Sequence, residues 1–209
     1  MSGADSFIHL YLPGDSGKSS PTLLLLHGTG GTENDLIAMG KQILPGANLL
    51  SVRGNVVENG MSRFFRRFAE GVFDEEDIRF RAGELAEFVI ATSARYDFDA
   101  GSAYAVGYSN GANIAAAMAL LQPESLAGGV LLRAMVPLTP SQIPDLSGKT
   151  FAIHSGEVDP IVPLESANRL AAMLRQSGAS VAHHVFLVGH SLISEDVDNT
   201  KSWFRDRMI

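Results

Sequence analysis

"AYAVGYSNGANIAAAMAL", from Ala103 to Leu120, changes character halfway along. Its first half, "AYAVGY", suits a strand covered by protein, and "NIAAAMAL" is an alanine-rich helix former. Between them stands Gly107-Tyr108-Ser109-Asn110-Gly111. A serine at such a join, with glycine two residues to either side, has two readings. One is an ordinary turn. The other is a nucleophile on a bend too cramped for larger neighbours, its hydroxyl raised above the sheet and a helix amino terminus behind it. The pattern alone is weak, so the rest of the chain must decide.

Outward from this motif the chain reads as alternating strands and helices. "FIHLYLP" (Phe7–Pro13) is an expected edge strand, and "TLLLLH" (Thr22–His27) a strand covered on both faces. A helix is expected from Glu33 to about Leu44, then the strand "NLLSV" (Asn48–Val52). Residues 54 to 73 read as irregular, before a long helix from about Asp74 to Arg95. Past the motif come strands at Gly128–Ala134, Thr150–Ser155 and "SVAHHVFLV", with helices at Leu164–Gln176 and Ile193–Arg207. The alternation predicts an α/β fold with a mostly parallel sheet and helices on both faces. In such sheets ligands bind beyond the carboxyl ends of the strands, which is where polar residues matter most.

The 209 residues show no repeat, low-complexity tract or long polar linker, so one domain over 1–209 is expected. A net charge of −7 argues against a nucleic-acid surface. The basic cluster Arg63, Arg66 and Arg67 is followed by "DEED" and reads as a local salt network. There is no cysteine, which excludes disulfides and a thiol nucleophile. The start of the chain lacks the pattern of a secretory signal, and no apolar run approaches the roughly 20 residues of a membrane span. A cytoplasmic protein without stable membrane association is expected.

Two further glycine motifs lead nowhere. "GKS" at 17–19 has Leu12 where a phosphate loop needs glycine, and it leads into a strand. "GTGG" at 28–31 has Glu33 at the third glycine position of a dinucleotide fingerprint, with no acidic residue after the next strand.

A serine hydroxyl is a poor nucleophile without a base, and the base needs an acid to orient it. On this fold the chain order is serine, acid, histidine, each just past a strand. His190, in "LVGHSLI", follows the last strand; His154, His183 and His184 lie within strands, and His9 and His27 precede the serine. "SGEVDPIVP" offers Glu157 and Asp159, of which Asp159 lies further out and is stiffened by Pro160. The expected oxyanion donors are the backbone N–H groups of Asn110 and of Thr29, in the glycine-rich loop after Thr22–His27. No metal or cofactor is required by this chemistry.

With these segments placed, the chain resembles the α/β-hydrolase superfamily, and within it the phospholipase/carboxylesterase group. The matching stretches are "LLLLHGTGGTENDL", "VGYSNGANIA", "SGEVDPIVP" and "GHSL", which together span Pro21 to the carboxyl terminus. The resemblance assigns the nucleophile to Ser109, the acid to Asp159, the base to His190 and the oxyanion donors to Thr29 and Asn110. It departs from the group in carrying Asn110 where glutamine is common and Ala112 where a second glycine is common. It is compatible with a homodimer.

Phe64, Met135 and Ile161 are candidates to line an acyl or aryl pocket, and Arg63 to hold a substrate carboxylate. Residues 55–73 are too few for a separate cap domain, which favours small esters and an open site. The leading expectation is a serine carboxylesterase acting through an acyl-enzyme. A thioesterase or lysophospholipase-like acyl hydrolase uses the same machinery, and a small-molecule sensor on a hydrolase scaffold is the alternative from another class; a lyase is a weaker one.

Overall fold

The computed structural model describes residues 5–207. Chain order begins with β1 (His9–Leu12), β2 (Thr22–Leu26), α1 (Ile37–Ile43) and β3 (Asn48–Val52). Four short strands follow: β4 (Val56–Glu58), β5 (Met61–Arg63), β6 (Arg67–Ala69) and β7 (Val72–Phe73). The long α2 (Glu75–Tyr96) then leads to β8 (Ala103–Tyr108), α3 (Asn110–Leu121) and β9 (Gly128–Leu132). The chain closes with β10 (Thr150–Gly156), α4 (Leu164–Gln176), β11 (Ser180–Phe186) and α5 (Ser194–Arg205).

Among the described residues, seven strands form one sheet in the order β1-β3-β2-β8-β9-β10-β11. Only β1 runs antiparallel, against β3. This is the α/β-hydrolase architecture, with helices on both faces. The continuous apolar runs follow from that arrangement, because alternate residues of each strand enter different cores. Leu24, Leu26, Leu131, Phe151 and Ile153 pack on one face with α2, α3 and α4. Leu23, Leu25, Val130, Leu132 and Ala152 pack on the other with Ile43 of α1 and Trp203 and Phe204 of α5.

Local chemistry explains the element ends. The carboxylate of Asp74 caps α2 by accepting from the Asp77 N–H at 3.1 Å, and three acidic residues in the first turn suit the positive end of the helix dipole. Helix α1 starts four residues later than the sequence suggests. Thr32 turns on itself there, its hydroxyl donating to Asp35 at 2.9 Å and accepting from the Asn34 N–H at 3.3 Å, which replaces the first helical turn.

The segment read as irregular is two hairpins. In β4–β5, Glu58 faces Met61 across Asn59 and Gly60, whose φ angles of 51° and 78° are those of a two-residue primed turn. An Asn-Gly pair is the strongest short-range signal for such a turn, so this hairpin was legible in "VVENGMSR". The second, β6–β7, turns through Glu70-Gly71. Together they lie beside the carboxyl ends of the central strands without forming a cap domain. Among the described residues, no helix is long and apolar enough to cross a membrane.

Candidate active site

The join between β8 and α3 is as tight as its glycines imply. A Cβ on Gly107 would come within 2.5 Å of the Gly111 carbonyl oxygen, and one on Gly111 would overlap the Leu26 carbonyl. Ser109 sits between them at φ 52° and ψ −113°, a region that side-chain-bearing residues seldom occupy. Its N–H is anchored to the Leu132 carbonyl at 2.8 Å, and its own carbonyl accepts from Asn113 N–H at 2.9 Å. The bend leaves the hydroxyl at the carboxyl end of the sheet with the amino end of α3 behind it.

Two loops beyond neighbouring strands meet that hydroxyl. His190, after β11, places Nε2 2.9 Å from Ser109 Oγ and Nδ1 2.7 Å from Asp159 Oδ2. Asp159, after β10, is held from its other side: Oδ1 accepts the N–H groups of Ile161 at 2.8 Å and Val162 at 3.0 Å. A carboxylate so satisfied accepts the Nδ1 proton, which leaves Nε2 as the lone-pair nitrogen facing serine. The structure brings Asp159, not Glu157, to the imidazole; Glu157 is exposed. The other histidines lie elsewhere. His183 pairs with Ser155, His9 with Tyr96, and His27 is buried with Nδ1 on the Gly28 carbonyl and Nε2 accepting from Gly54 N–H.

Thr29 and Asn110 both border the small space beside Ser109. Asn110 is the first residue of α3, where backbone N–H groups lack an intrahelical acceptor. Residues 62–64, at the end of the first hairpin, brace both of these residues. The Arg63 guanidinium donates to Thr29 Oγ1 at 2.7 Å, and Gly30 N–H to the Ser62 carbonyl at 2.8 Å. Phe64 N–H donates to Asn110 Oδ1 at 2.7 Å.

A cleft of about 300 Å³ opens over Ser109 and His190, walled by Met61, Arg67, Glu70, Tyr108 and Ile161. A second hollow of about 460 Å³ adjoins it, with Phe73, Met135 and Pro137 among its walls and Glu70 and Ile161 shared. Among the described residues no three His, Cys, Asp or Glu side chains gather as metal ligands.

The model of the phospholipase/carboxylesterase family matches residues 14–206. The chain belongs to that family. It is 42% identical to the protein MhqD of Bacillus subtilis (strain 168) over 96% of this chain and 99% of that one. Among solved structures, the Bacillus cereus carboxylesterase superposes with a TM-score of 0.94 at 44% identity, covering 97% of this chain and 95% of the other. A carboxylesterase from Mesorhizobium loti superposes at 0.89 with 29% identity, covering 95% and 94%. Membership of the carboxylesterase family supports an esterase activity.

Of the four side chains expected to meet substrate, three border the space beside Ser109 in this chain. Met135 and Ile161 border the space beside Ser109, Met135 buried and Ile161 38% exposed. Arg63 borders it too, but its Nε and Nη1 face Thr29, Glu58 at 3.2 Å and the Phe65 carbonyl at 3.2 Å. Phe64 requires correction: its ring is 2% exposed in the core and tilts against His27, so only its backbone serves the site. Arg67 and Glu70, which line the cleft, were read from sequence as a salt network or not at all. Only the hairpin that carries them to the rim shows their place.

Proposed function

We propose that the protein is a serine carboxylesterase for small esters, with Ser109 as nucleophile, His190 as general base and acid, and Asp159 as its orienting carboxylate. The observation that carries this is the unbroken chain Ser109 Oγ, His190 Nε2, His190 Nδ1, Asp159 Oδ2, at 2.9 and 2.7 Å. His190 takes the hydroxyl proton as Oγ attacks the ester carbonyl. The tetrahedral oxyanion is met by the N–H groups of Thr29 and Asn110. Collapse expels the alcohol, which receives the proton from His190 and leaves an acyl group on Ser109. Water then attacks the acyl-enzyme with His190 again as base, releasing the carboxylic acid and restoring the serine. The modest cleft volumes and the two short hairpins at the rim support small esters over long-chain lipids.

Hydrolysis of p-nitrophenyl acetate tests the assignment. Ser109→Ala is expected to lower kcat by about 10⁴-fold or more while the protein stays folded. An active-site phosphonate should label the parent stoichiometrically and leave that variant untouched. Hydrolysis by Ser109→Ala at the parent rate would end this reading.

A further inference from the structure

Arg133 lies one residue past the end of β9, near the rim where other strands deliver Ser109 and Asp159. Its side chain is fully buried, and its φ of 54° is uncommon for a residue other than glycine. A guanidinium so placed needs a counter-charge. Asp196, in the first turn of α5 and equally buried, supplies it through two parallel hydrogen bonds of 2.9 and 2.8 Å. Asp196 also faces His154 Nδ1 at 3.2 Å and accepts from Ile193 N–H at 2.9 Å. Burial by itself would raise its pKa. The hydrogen bonds from His154, Arg133 and Ile193 outweigh burial and hold the carboxyl below the ordinary aspartate value.

Of the remaining arginine contacts, Nη1 donates to the His154 carbonyl in β10 at 3.3 Å, and the others turn to the loop between β11 and α5. Nε donates to the Gly189 carbonyl at 3.3 Å and Nη2 to the Ser191 carbonyl at 2.9 Å. Between them, the Tyr108 hydroxyl donates to the carbonyl of His190 itself at 3.2 Å. Three successive carbonyls, centred on His190, are thus gripped by side chains from the ends of β8 and β9. Neither Arg133 nor Asp196 borders the cleft or the space beside Ser109. A buried ion pair is often no better a stabiliser than apolar filling of the same volume, so stability alone does not account for this one.

We propose that Arg133, locked by Asp196, is a positioning residue for His190. It sets the backbone from which the imidazole reaches Ser109 and Asp159 together. The inference rests on the reading of Ser109 and His190 as nucleophile and base. A displacement of the base by about 1 Å is enough to cost on the order of 10²-fold in rate.

Two variants test it. Arg133→Lys keeps the charge but cannot serve both oxygens of Asp196 and the carbonyls of His154, Gly189 and Ser191 at once. The double variant Arg133→Met/Asp196→Asn removes both charges, so no buried carboxylate is left unpaired, and it keeps an acceptor for Ile193 N–H. Rates on p-nitrophenyl acetate are measured where circular dichroism shows full folding. The downfield proton resonance of the His190–Asp159 hydrogen bond is recorded alongside, with Ser109→Ala as a parallel control.

Both variants should fold, lose about 10²-fold in kcat with KM within about twofold, and shift or lose that resonance. A folded variant with the parent kcat and resonance overturns the proposal. So does failure of both variants to fold, which makes the cluster purely structural. If Ser109→Ala is inactive while the Arg133 variants match the parent, positioning alone fails. If Ser109→Ala is fully active, the serine reading fails first.

Discussion

At Ser109 the backbone holds φ 52° and ψ −113°, and a side chain there stores on the order of 1–3 kcal/mol of strain. Ser109→Gly removes the Cβ that causes it, so that variant should be more stable than the parent by about 1 kcal/mol in urea denaturation while hydrolysing nothing. Equal or lower stability would show that the bend is unstrained. Asp159 offers a complementary test. In Asp159→Asn the amide oxygen can still accept from Ile161 and Val162, but the amide N–H₂ then faces His190 Nδ1 and favours the opposite tautomer, with its proton on Nε2. We expect kcat for p-nitrophenyl acetate to fall by about 10³–10⁴-fold with the melting temperature nearly unchanged.

The element that matters most beyond the elbow is the β4–β5 hairpin. Through Arg63, Ser62 and Phe64 it touches the loop that carries Thr29 and the start of α3 at Asn110, the two residues proposed as oxyanion donors. Arg63→Met should therefore lower kcat more than it raises KM, by about 10–10²-fold, less than the loss of a donor outright. An unchanged kcat in a folded Arg63→Met protein would show that Thr29 holds its place without this brace. The turn itself gives a second measurement. Gly60 has φ 78°, so Gly60→Ala should cost about 1 kcal/mol, read as a lower urea midpoint.

For the whole molecule, acidification is expected to weaken the fold through its histidines. Burial lowers the pKa of His27, His183 and His184; Arg175 adds to the effect at His183, while at His27 burial outweighs the opposing pull of the Gly28 carbonyl and Asp35. Above the ordinary imidazole value of about 6.5 these groups are neutral in both folded and unfolded chains, and their contribution is intact. Below it the unfolded chain binds protons first, and stability falls until the folded pKa values are passed. His27 shows the cause most directly, since protonating Nε2 would break its bond from Gly54 N–H at 3.0 Å. Urea midpoints at pH 7.5 and 5.5 should differ, the lower pH giving the lower midpoint. Equal midpoints would contradict the direction assigned to all three.

Local pattern was enough for much of this. Apolar runs at Leu23–Leu26 and Ala103–Tyr108 announce buried strands because the sheet is covered on both faces, and the glycines at 107 and 111 announce the bend because nothing larger fits. The order serine, aspartate, histidine, each past a strand end, was likewise readable. The Asn59-Gly60 turn was present in the sequence but lay within a stretch dominated by aromatic and arginine residues, whose lack of periodicity masked it. Other roles depend on partners far apart along the chain. Arg63 meets Thr29 across 34 residues, Phe64 meets Asn110 across 46, and Arg133 meets Asp196 across 63. Spacing carries no trace of such pairs, because they exist only once the strands are side by side. Thus the amino-acid order determined which backbone must bend and which side chains suit the chemistry. Packing alone decided that Phe64 turns into the core, that Arg63 supports a loop, and that a buried arginine grips the backbone around His190.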